Sequence, residues 1–239
     1  MRDHGEFGPV GQVKLALRLL GPLAHLVDVG SNVGIVSAAA LALGHEVTCF
    51  EAEMNNAALL RATLALNNWT ARSAVVERAV VQDSQLTRTV HLQRWDPSNR
   101  GGSRIVHRGG SQVQTTHLDL WASRVPQGTP IVMKLDIEGC EHSAIKGALR
   151  KMLPRVQVVI TEISPRAMIA CGGNASRYVK LLQRHGFTVG KGHGRRGAAA
   201  LQRAIRDAEL SGSILDATFL RPPTTIAARL RQMLWRSDR

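Results

Sequence analysis

Short apolar runs alternate with longer segments of helical spacing along most of this chain. Six of the runs have the length and composition of strands: Leu26–Val29, Val47–Phe50, Ala74–Val81, Ile131–Asp136, Val156–Glu162 and Phe187–Val189. Three intervening segments space their apolar residues as helices do: Gly34–Leu43, Asn55–Asn67 and Glu141–Met152. This alternation predicts an α/β fold in which helices cover both faces of a parallel sheet. Right-handed crossovers would then place the loops that follow the strands along one edge of that sheet.

The alternation is interrupted between Leu86 and Leu118. Three short stretches there, at 89–92, 103–106 and 112–116, alternate polar and apolar residues, and glycine-containing turns separate them. We therefore predict a β insertion at about 86–117, in a position where insertions often shape the substrate pocket.

The end of the chain differs in character from the rest. Gly190–Gly197 is a predicted loop of Gly, Lys, Arg and His, and Ser213–Leu220 is the predicted last strand. Pro222-Pro223 ends that strand, and the apolar residues after it recur at helical spacing among arginines. We therefore divide the chain into a main domain at 1–221 and a basic amphipathic tail at 222–239.

The composition indicates a globular protein of the cytoplasm. The chain has 239 residues, of which 44% are hydrophobic, and this is enough to bury a core. Cys49, Cys140 and Cys171 form no C-x-x-C pair, so the sequence suggests neither a disulfide framework nor a zinc site, and it fits a reducing compartment. No apolar run approaches the roughly 20 residues that span a bilayer, and no secretory signal is evident.

Basic residues outnumber acidic ones by 31 to 18, which gives a net charge of +13. One interpretation is an anionic partner, such as nucleic acid, a phosphorylated substrate or an acidic membrane surface, and the other is an arginine-rich solvated face. Four Phe, four Trp and one Tyr are too few to favour an aromatic platform for stacked bases. Nucleic acid is therefore a less favoured partner, and peripheral contact of the tail with an anionic membrane stays open.

Candidate chemistry begins at the end of the first predicted strand, in the turn DVGSNVG at 28–34. A glycine-rich turn between a strand and a helix is typical of nucleoside-binding folds, although it also occurs as an ordinary connection. The spacing from Gly30 to Gly34 differs from the G-x-G-x-x-G of nicotinamide dinucleotide sites, and Asp28 would repel a diphosphate. An acid here suits a cationic ligand such as S-adenosylmethionine. Glu51 ends the second strand, where a carboxylate can accept hydrogen bonds from both ribose hydroxyls.

Charged side chains are densest at the carboxyl end of the predicted strand Ile131–Asp136. Lys134, Asp136 and Glu138 share one side if the strand conformation continues, and Glu141 is favoured near the start of the next helix. Four predicted strands therefore finish in an acid: Asp28, Glu51, Asp136 and Glu162. Because the strand ends meet at one edge, we expect a site lined by carboxylates.

With these motifs, the chain resembles the FkbM family of S-adenosylmethionine-dependent methyltransferases. The matching stretches are VDVGSNVG (27–34), FEAEMNN (50–56), VVERAVV (75–81), NRGG (99–102), LDLW (118–121), KLDIEGCEHSAIKGA (134–148) and VITEIS (159–164). The resemblance spans roughly residues 25–190 and implies a Rossmann-like, seven-stranded class I methyltransferase sheet whose last strand is antiparallel. It also implies methyl transfer, usually to oxygen.

The resemblance implies a role for several residues in binding the methyl donor. The residues concerned are Asp28, Gly30, Ser31, Asn32, Gly34, Glu51, Asp83 and Asp136. The first glycine turn would hold the methionyl part, Glu51 would bind the ribose, and Asp83 would lie near the adenine. Ala52 stands where the family usually has proline, which changes the loop and leaves the carboxylates in place.

The same resemblance places Lys134, Asp136 and Glu138 at the reacting centre. Methyl transfer needs the reacting atoms in line, and a hydroxyl acceptor also needs a base for its proton. Asp136 and Glu138 are the leading candidates for that base, followed by His142 and Glu162. Lys134 would orient the acceptor oxygen or keep a neighbouring carboxylate ionised. This chemistry requires no metal.

The sequence thus favours an O-methyltransferase that acts on a hydroxyl of a small molecule, a sugar or a lipid. An anionic small-molecule acceptor stays open as well. Two other functions compete with this one: an RNA methyltransferase, which would explain the basic charge, and a non-catalytic basic binding protein with a methyltransferase-like fold. A nicotinamide oxidoreductase fits the glycine spacing less well.

Overall fold

A seven-stranded, mostly parallel sheet forms the centre of the computed structural model, which describes residues 8–82, 89–94, 103–106, 108–190 and 194–221. In chain order the strands are β1 His25–Val29, β2 Glu46–Phe50, β3 Ser73–Val76, β4 Ala79–Val80, β5 Thr89–Arg94, β6 Ser103–Val106, β7 Ser111–Thr116, β8 Ile131–Leu135, β9 Val156–Ile163, β10 Thr188–Val189 and β11 Leu215–Leu220. The helices are α1 Gly8–Leu20, α2 Ile35–Ala42, α3 Met54–Leu66, α4 Glu141–Lys146, α5 Pro165–Ala170, α6 Ala175–Arg184 and α7 Gly194–Ser211.

The main sheet has the strand order β10-β11-β9-β8-β1-β2-β3, and β11 runs antiparallel to both of its neighbours. This confirms the predicted class I methyltransferase sheet with its antiparallel last strand. Every residue of β1 and β8 is buried, because side chains from helices cover both faces of these central strands. The strand order changes direction between β8 and β1, and such a point opens a ligand crevice outside the carboxyl ends of the strands.

The predicted β insertion is also present. Its strands form a second sheet with the order β4-β7-β5-β6. One boundary differs from the prediction, because the run Ala74–Val81 is divided between β3 and β4. The Arg78 amide donates a hydrogen bond to the Val76 carbonyl at 3.0 Å, and after this turn β4 pairs with β7 of the second sheet.

The helix predicted at Glu141–Met152 is shorter in the structure, where α4 ends at Lys146. Asp119 explains part of this difference. Its carboxylate accepts hydrogen bonds from the N–H groups of Arg150, Lys151 and Met152 at 2.9, 2.8 and 2.8 Å. These amides therefore have acceptors without continuing the helix.

Four helices lie where the sequence did not predict them: α1, α5, α6 and α7. Helix α1 precedes the first strand and packs against α2, and α7 begins at Gly194, inside the predicted loop Gly190–Gly197. The predicted tail at 222–239 lies outside the described residues, as do Asp83 and the matching stretch at 99–102. Within the described part of the chain, no helix has both the length and the apolar character needed to cross a membrane.

The structure corrects the expectation that the cysteines form no disulfide. Cys140 and Cys171 are joined, with their Cα atoms 5.4 Å apart, and Cys49 is free and buried. Cys140 precedes α4 and Cys171 follows α5, so the bond connects the loop after β8 with the end of the helix that follows β9. The two cysteines are 31 residues apart in a sequence with no paired-cysteine motif, which is why their partnership was not visible there.

Gly30 in the first turn provides a test of how closely the strand ends pack. Its φ is +81°, and an added Cβ would overlap the carbonyl oxygen of Asp136. Gly44 also has a positive φ, of +91°, but a Cβ added to Gly44 would lie in open space. We expect Gly44→Ala to cost about 1–2 kcal/mol of unfolding free energy from backbone strain alone, and Gly30→Ala to cost clearly more.

Urea unfolding of the two variants measures this difference. Equal losses in Gly30→Ala and Gly44→Ala would show that the close approach of Gly30 to the loop after β8 is absent.

Candidate active site

A cavity of about 290 Å³ opens at the carboxyl ends of β1, β2, β8 and β9. This volume is at the lower end of the roughly 300–1,000 Å³ that is usual for small-molecule sites. The cavity lies at the point where the strand order changes direction, as the rule for open α/β sheets predicts. Leu92, Ser103 and Ile105 of the second sheet also line it, so the β insertion contributes to the pocket.

The turn after β1 is tied to the end of β2 by backbone hydrogen bonds. The N–H groups of Gly30 and Ser31 both donate to the Phe50 carbonyl, at 2.9 and 3.0 Å, and the Ser31 hydroxyl donates to the Asp28 carbonyl at 2.8 Å. Asn32 has a left-handed backbone with φ +51°. Gly30, Ser31 and Asn32 line the cavity, whereas Gly34 does not. Their predicted contact with a donor stays a prediction.

Glu51 follows β2 and lines the cavity, although only 8% of the residue is exposed. Its Oε2 accepts a hydrogen bond from the Asn32 amide at 2.7 Å, and its Oε1 accepts one from the Glu53 amide at 2.8 Å. Burial raises the pKa of this carboxyl, and the two amides oppose that rise. The amides fix the orientation of the carboxylate, and each oxygen can accept a further hydrogen bond. This fits the predicted contact with ribose hydroxyls, which stays a prediction.

Lys134 is the penultimate residue of β8 and is 4% exposed. Its Nζ donates to the Gly30 carbonyl at 2.6 Å and lies 3.5 Å from Asp28 Oδ1 and 3.4 Å from Asp136 Oδ2. Burial on its own would lower the pKa of Lys134, but the charges of Asp28 and Asp136 outweigh it, and the pKa is raised. The ammonium therefore stays charged and holds two acids and one carbonyl at the strand ends.

Asp28 does not line the cavity and is fully buried beneath it. It precedes Val29 in β1 and pairs in register with Lys134 of the neighbouring strand. Besides its ion pair with Lys134, its Oδ2 accepts a hydrogen bond from the Ser37 hydroxyl at 2.6 Å. The predicted direct contact of Asp28 with the methionyl part of a donor therefore has no support in this arrangement, and Asp28 would act through Lys134.

Three further carboxylates line the cavity: Asp136, Glu138 and Glu162. Burial, followed by the negative charges of Asp136 and Glu138, raises the pKa of Glu162 to about 7. Burial and Asp136 also raise the pKa of Glu138, while Lys134 opposes that rise. A carboxyl whose pKa lies near the working pH is well suited to accept a proton, so Glu162 is a stronger candidate for the base than the order predicted from the sequence.

His142 is not brought to the cavity. It lies on the buried side of α4, where its Nδ1 accepts a hydrogen bond from the Asn174 amide at 3.2 Å. Burial, with the positive charges of Lys146 and Arg177, lowers the pKa of the ring. His142 is therefore a poor candidate for the base, because its contacts lie in the packing between α4 and the loop before α6.

Two features of the site are not predicted from the sequence. Arg78 lines the cavity after β3; it lies within the matching stretch at 75–81, but no role is predicted for it there. The sequence predicts Glu141 only as an acid near a helix start, whereas the structure buries it beneath the loop that carries Asp136 and Glu138. Among the described residues, no group of three or more His, Cys, Asp or Glu side chains has the arrangement of a metal site.

Comparison with known proteins gives one sequence match and a set of structural likenesses. The chain matches the methyltransferase FkbM domain over residues 28–189. No curated protein matches the sequence significantly.

Three solved structures illustrate the likeness in fold. A candidate methyltransferase from Streptococcus mutans in complex with SAH is 10% identical, with a TM-score of 0.50 over 90% of this chain and 97% of that one. The bifunctional kinase-methyltransferase WbdD is 11% identical, with a TM-score of 0.50 over 89% of this chain and 39% of that one. An FkbM methyltransferase from Methylobacillus flagellatus is 17% identical, with a TM-score of 0.46 over 70% of this chain. The aligned part is only 39% of the length of that protein.

Lys134 offers a direct test of the electrostatics of the site. Lys134→Met would leave Asp28 buried without its cation, and loss of one partner of a buried pair typically costs about 3–5 kcal/mol of unfolding free energy. The double variant Asp28→Asn/Lys134→Met also removes the buried negative charge, so it should recover part of that loss. Chemical denaturation of the single and double variants measures both effects. If the double variant is no more stable than Lys134→Met, Asp28 is not the group that Lys134 neutralises.

Proposed function

Because the chain belongs to the methyltransferase FkbM domain family, we propose that it transfers the methyl group of S-adenosylmethionine to a hydroxyl of a small molecule, a sugar or a lipid. One observation carries the proposal. Glu51, the Lys134–Asp136 pair and Glu162 come from three different strand ends and line a single cavity. Such a cavity combines a hydrogen-bond acceptor for a ribose, a negative rim for a cation and a carboxyl that can take up a proton.

The residues of the cavity fit a cationic adenosyl donor. S-adenosylmethionine, when bound, supplies a methyl group on a positively charged sulfur. Glu51 would hold the ribose, because its carboxylate is oriented by two amides and faces the cavity. Asp136 and Glu138 would favour the positive charge at the other end. The turn at Gly30–Asn32 would support the donor between them.

Glu162 is proposed to accept the proton of the acceptor hydroxyl. It lines the cavity near Asp136 and Glu138, and its pKa is raised to about 7. Asp136 already forms an ion pair with the Lys134 ammonium, 3.4 Å away. The preference for Asp136 and Glu138 as bases is therefore replaced by one for Glu162, with Glu138 second.

The acidic end of the cavity favours an uncharged acceptor over an anionic one. Asp136, Glu138 and Glu162 would repel a phosphate or carboxylate placed beside the transferred methyl group. The net charge of +13 still favours the alternative of an RNA methyltransferase. Binding to RNA that falls steeply with added salt, together with methylated RNA as product, would support that alternative.

Glu51→Ala tests the donor site. Two hydrogen bonds to a charged group are lost, so we expect the affinity for S-adenosylmethionine to fall roughly 10- to 100-fold. Glu46→Ala is the matched control, because Glu46 is exposed at the opposite end of the same strand. Isothermal titration of the folded proteins measures the three affinities. Equal affinity in wild type and Glu51→Ala would refute the ribose assignment.

Glu162→Gln tests the base. For the wild type, kcat/KM should rise with pH through an apparent pKa of about 7, since Glu162 accepts a proton only when ionised. Glu162→Gln should lose this rise and lower kcat by roughly 10²–10⁴. Asp136→Asn should shift the rise to lower pH, because the charge of Asp136 raises the pKa of Glu162.

The measurement is release of S-adenosylhomocysteine with an acceptor found by screening hydroxyl compounds for the gain of one CH2 group. Glu209→Gln, an exposed acid on α7, serves as the control. An unchanged pH profile in Glu162→Gln would move the base to another residue.

A further inference from the structure

Glu141 is a buried carboxylate that the proposed reaction does not use. It is 1% exposed, and it is the first residue of α4, directly after the loop that carries Asp136 and Glu138. Its Oε1 accepts hydrogen bonds from the amides of Ile137, at 2.9 Å, and Gly139, at 3.2 Å. These two amides flank Glu138 on either side.

Glu138 has a backbone conformation that its residue type rarely adopts. Its φ is +54°, in the left-handed region, which is unfavourable for a glutamate. A conformation of this kind persists only where the surrounding structure holds it in place. The bonds from Ile137 and Gly139 to one oxygen of Glu141 are a constraint of that type, since both bonds would break if Glu138 returned to an extended conformation.

Other contacts fix the two ends of the same loop. The Asp136 amide donates to the Val29 carbonyl at 3.1 Å, and the disulfide of Cys140 with Cys171 holds the residue before Glu141. Within the described residues, the middle of the loop depends on Glu141 for two of its amides. A β-carbon on Gly139 would overlap the backbone of Ala167, so this part of the loop also packs directly against α5.

From this geometry we propose that Glu141 is a positioning residue for the donor site, whose carboxylate holds the loop 136–139 so that Asp136 and Glu138 face the cavity. The role in donor binding rests on the proposed function. Burial raises the pKa of Glu141 to about 7, against three backbone hydrogen bonds that lower it, and its Oε2 is buried with no hydrogen-bond partner among the described residues. A carboxylate is costly to bury without full pairing. The two hydrogen bonds that Glu141 accepts from backbone amides give a reason for a carboxylate at this buried position.

Asp119 provides a matched control for Glu141. Asp119 is also a buried carboxylate, and it accepts hydrogen bonds from three backbone N–H groups. These N–H groups belong to residues 150–152, which do not line the cavity. Loss of either carboxylate leaves amides without an acceptor and should destabilise the fold. Only the loss of Glu141 should change the loop at the cavity.

The experiment compares wild type, Glu141→Ala, Glu141→Gln and Asp119→Ala. In amide hydrogen exchange without ligand, Glu141→Ala should speed exchange at Ile137 and Gly139 at least roughly tenfold, since each amide loses its acceptor. Glu141→Gln keeps an acceptor oxygen and should retain protection. In titrations with S-adenosylmethionine, the affinity of Glu141→Ala should be lower than that of the wild type by a factor of roughly ten or more. The affinities of Glu141→Gln and Asp119→Ala should stay close to that of the wild type.

The outcomes separate two kinds of failure. If wild type does not bind S-adenosylmethionine, the proposed function fails, and the exchange data still test the hold of Glu141 on the loop. If wild type binds and Glu141→Ala binds equally well, the positioning role is overturned. Equal weakening in Glu141→Ala and Asp119→Ala would also overturn it, because general destabilisation would then explain the loss. If Glu141→Ala is too unstable to purify, failure of Glu141→Gln to retain protection at Ile137 and Gly139 would contradict the proposal.

Discussion

The buried ammonium of Lys134 is the contact on which the rest of the site depends. It binds the Gly30 carbonyl and lies within 3.5 Å of carboxylate oxygens of Asp28 and Asp136, so one cation joins the ends of β1 and β8 at the point where the strand order reverses. A charge with so little exposure is tolerated only when partners of opposite charge surround it. The same holds for Asp28, which is fully buried and has the Lys134 ammonium 3.5 Å from its Oδ1. The first turn, the central strands and the loop after β8 are therefore held together by one electrostatic arrangement.

This arrangement leaves the cavity with an excess of negative charge. Lys134 is already balanced by Asp28 and Asp136, while Glu51, Glu138 and Glu162 line the same space. Burial and the negative charge of Asp136 raise the pKa of both Glu138 and Glu162, so the ionised forms of these two groups are disfavoured in the free protein. A cation that entered the cavity would relieve the repulsion between these carboxylates. The proposed preference for a cationic donor therefore depends on the same neighbouring carboxylates that, together with burial, raise the pKa of Glu162 to about 7.

Much of the fold and of the candidate site could be predicted from the sequence. The alternation of strands and helices predicts the sheet, and the acids at the strand ends predict the edge at which the site lies. What could not be predicted depends on contacts between elements far apart in the chain. The burial of Asp28 follows from its register opposite Lys134, and the pKa of Glu162 depends on Asp216 of the antiparallel last strand as well as on Asp136. His142 does not line the cavity, because α4 packs against α6, and the sequence does not reveal that contact. The disulfide and the proposed role of Glu141 likewise depend on how the loop after β8 is folded. The spacing of apolar residues along the chain does not predict the conformation of this loop.

A crystal structure of the protein with S-adenosylhomocysteine would show whether the cavity holds the donor as proposed. We expect the ribose hydroxyls to lie within hydrogen-bond distance of the Glu51 carboxylate and the sulfur to lie on the side of Asp136 and Glu162. Lys134 should keep its contacts with Asp28, Gly30 and Asp136 in that complex. A well-ordered ligand bound away from Glu51, or a ribose turned from it toward Glu162, would refute this placement of the donor.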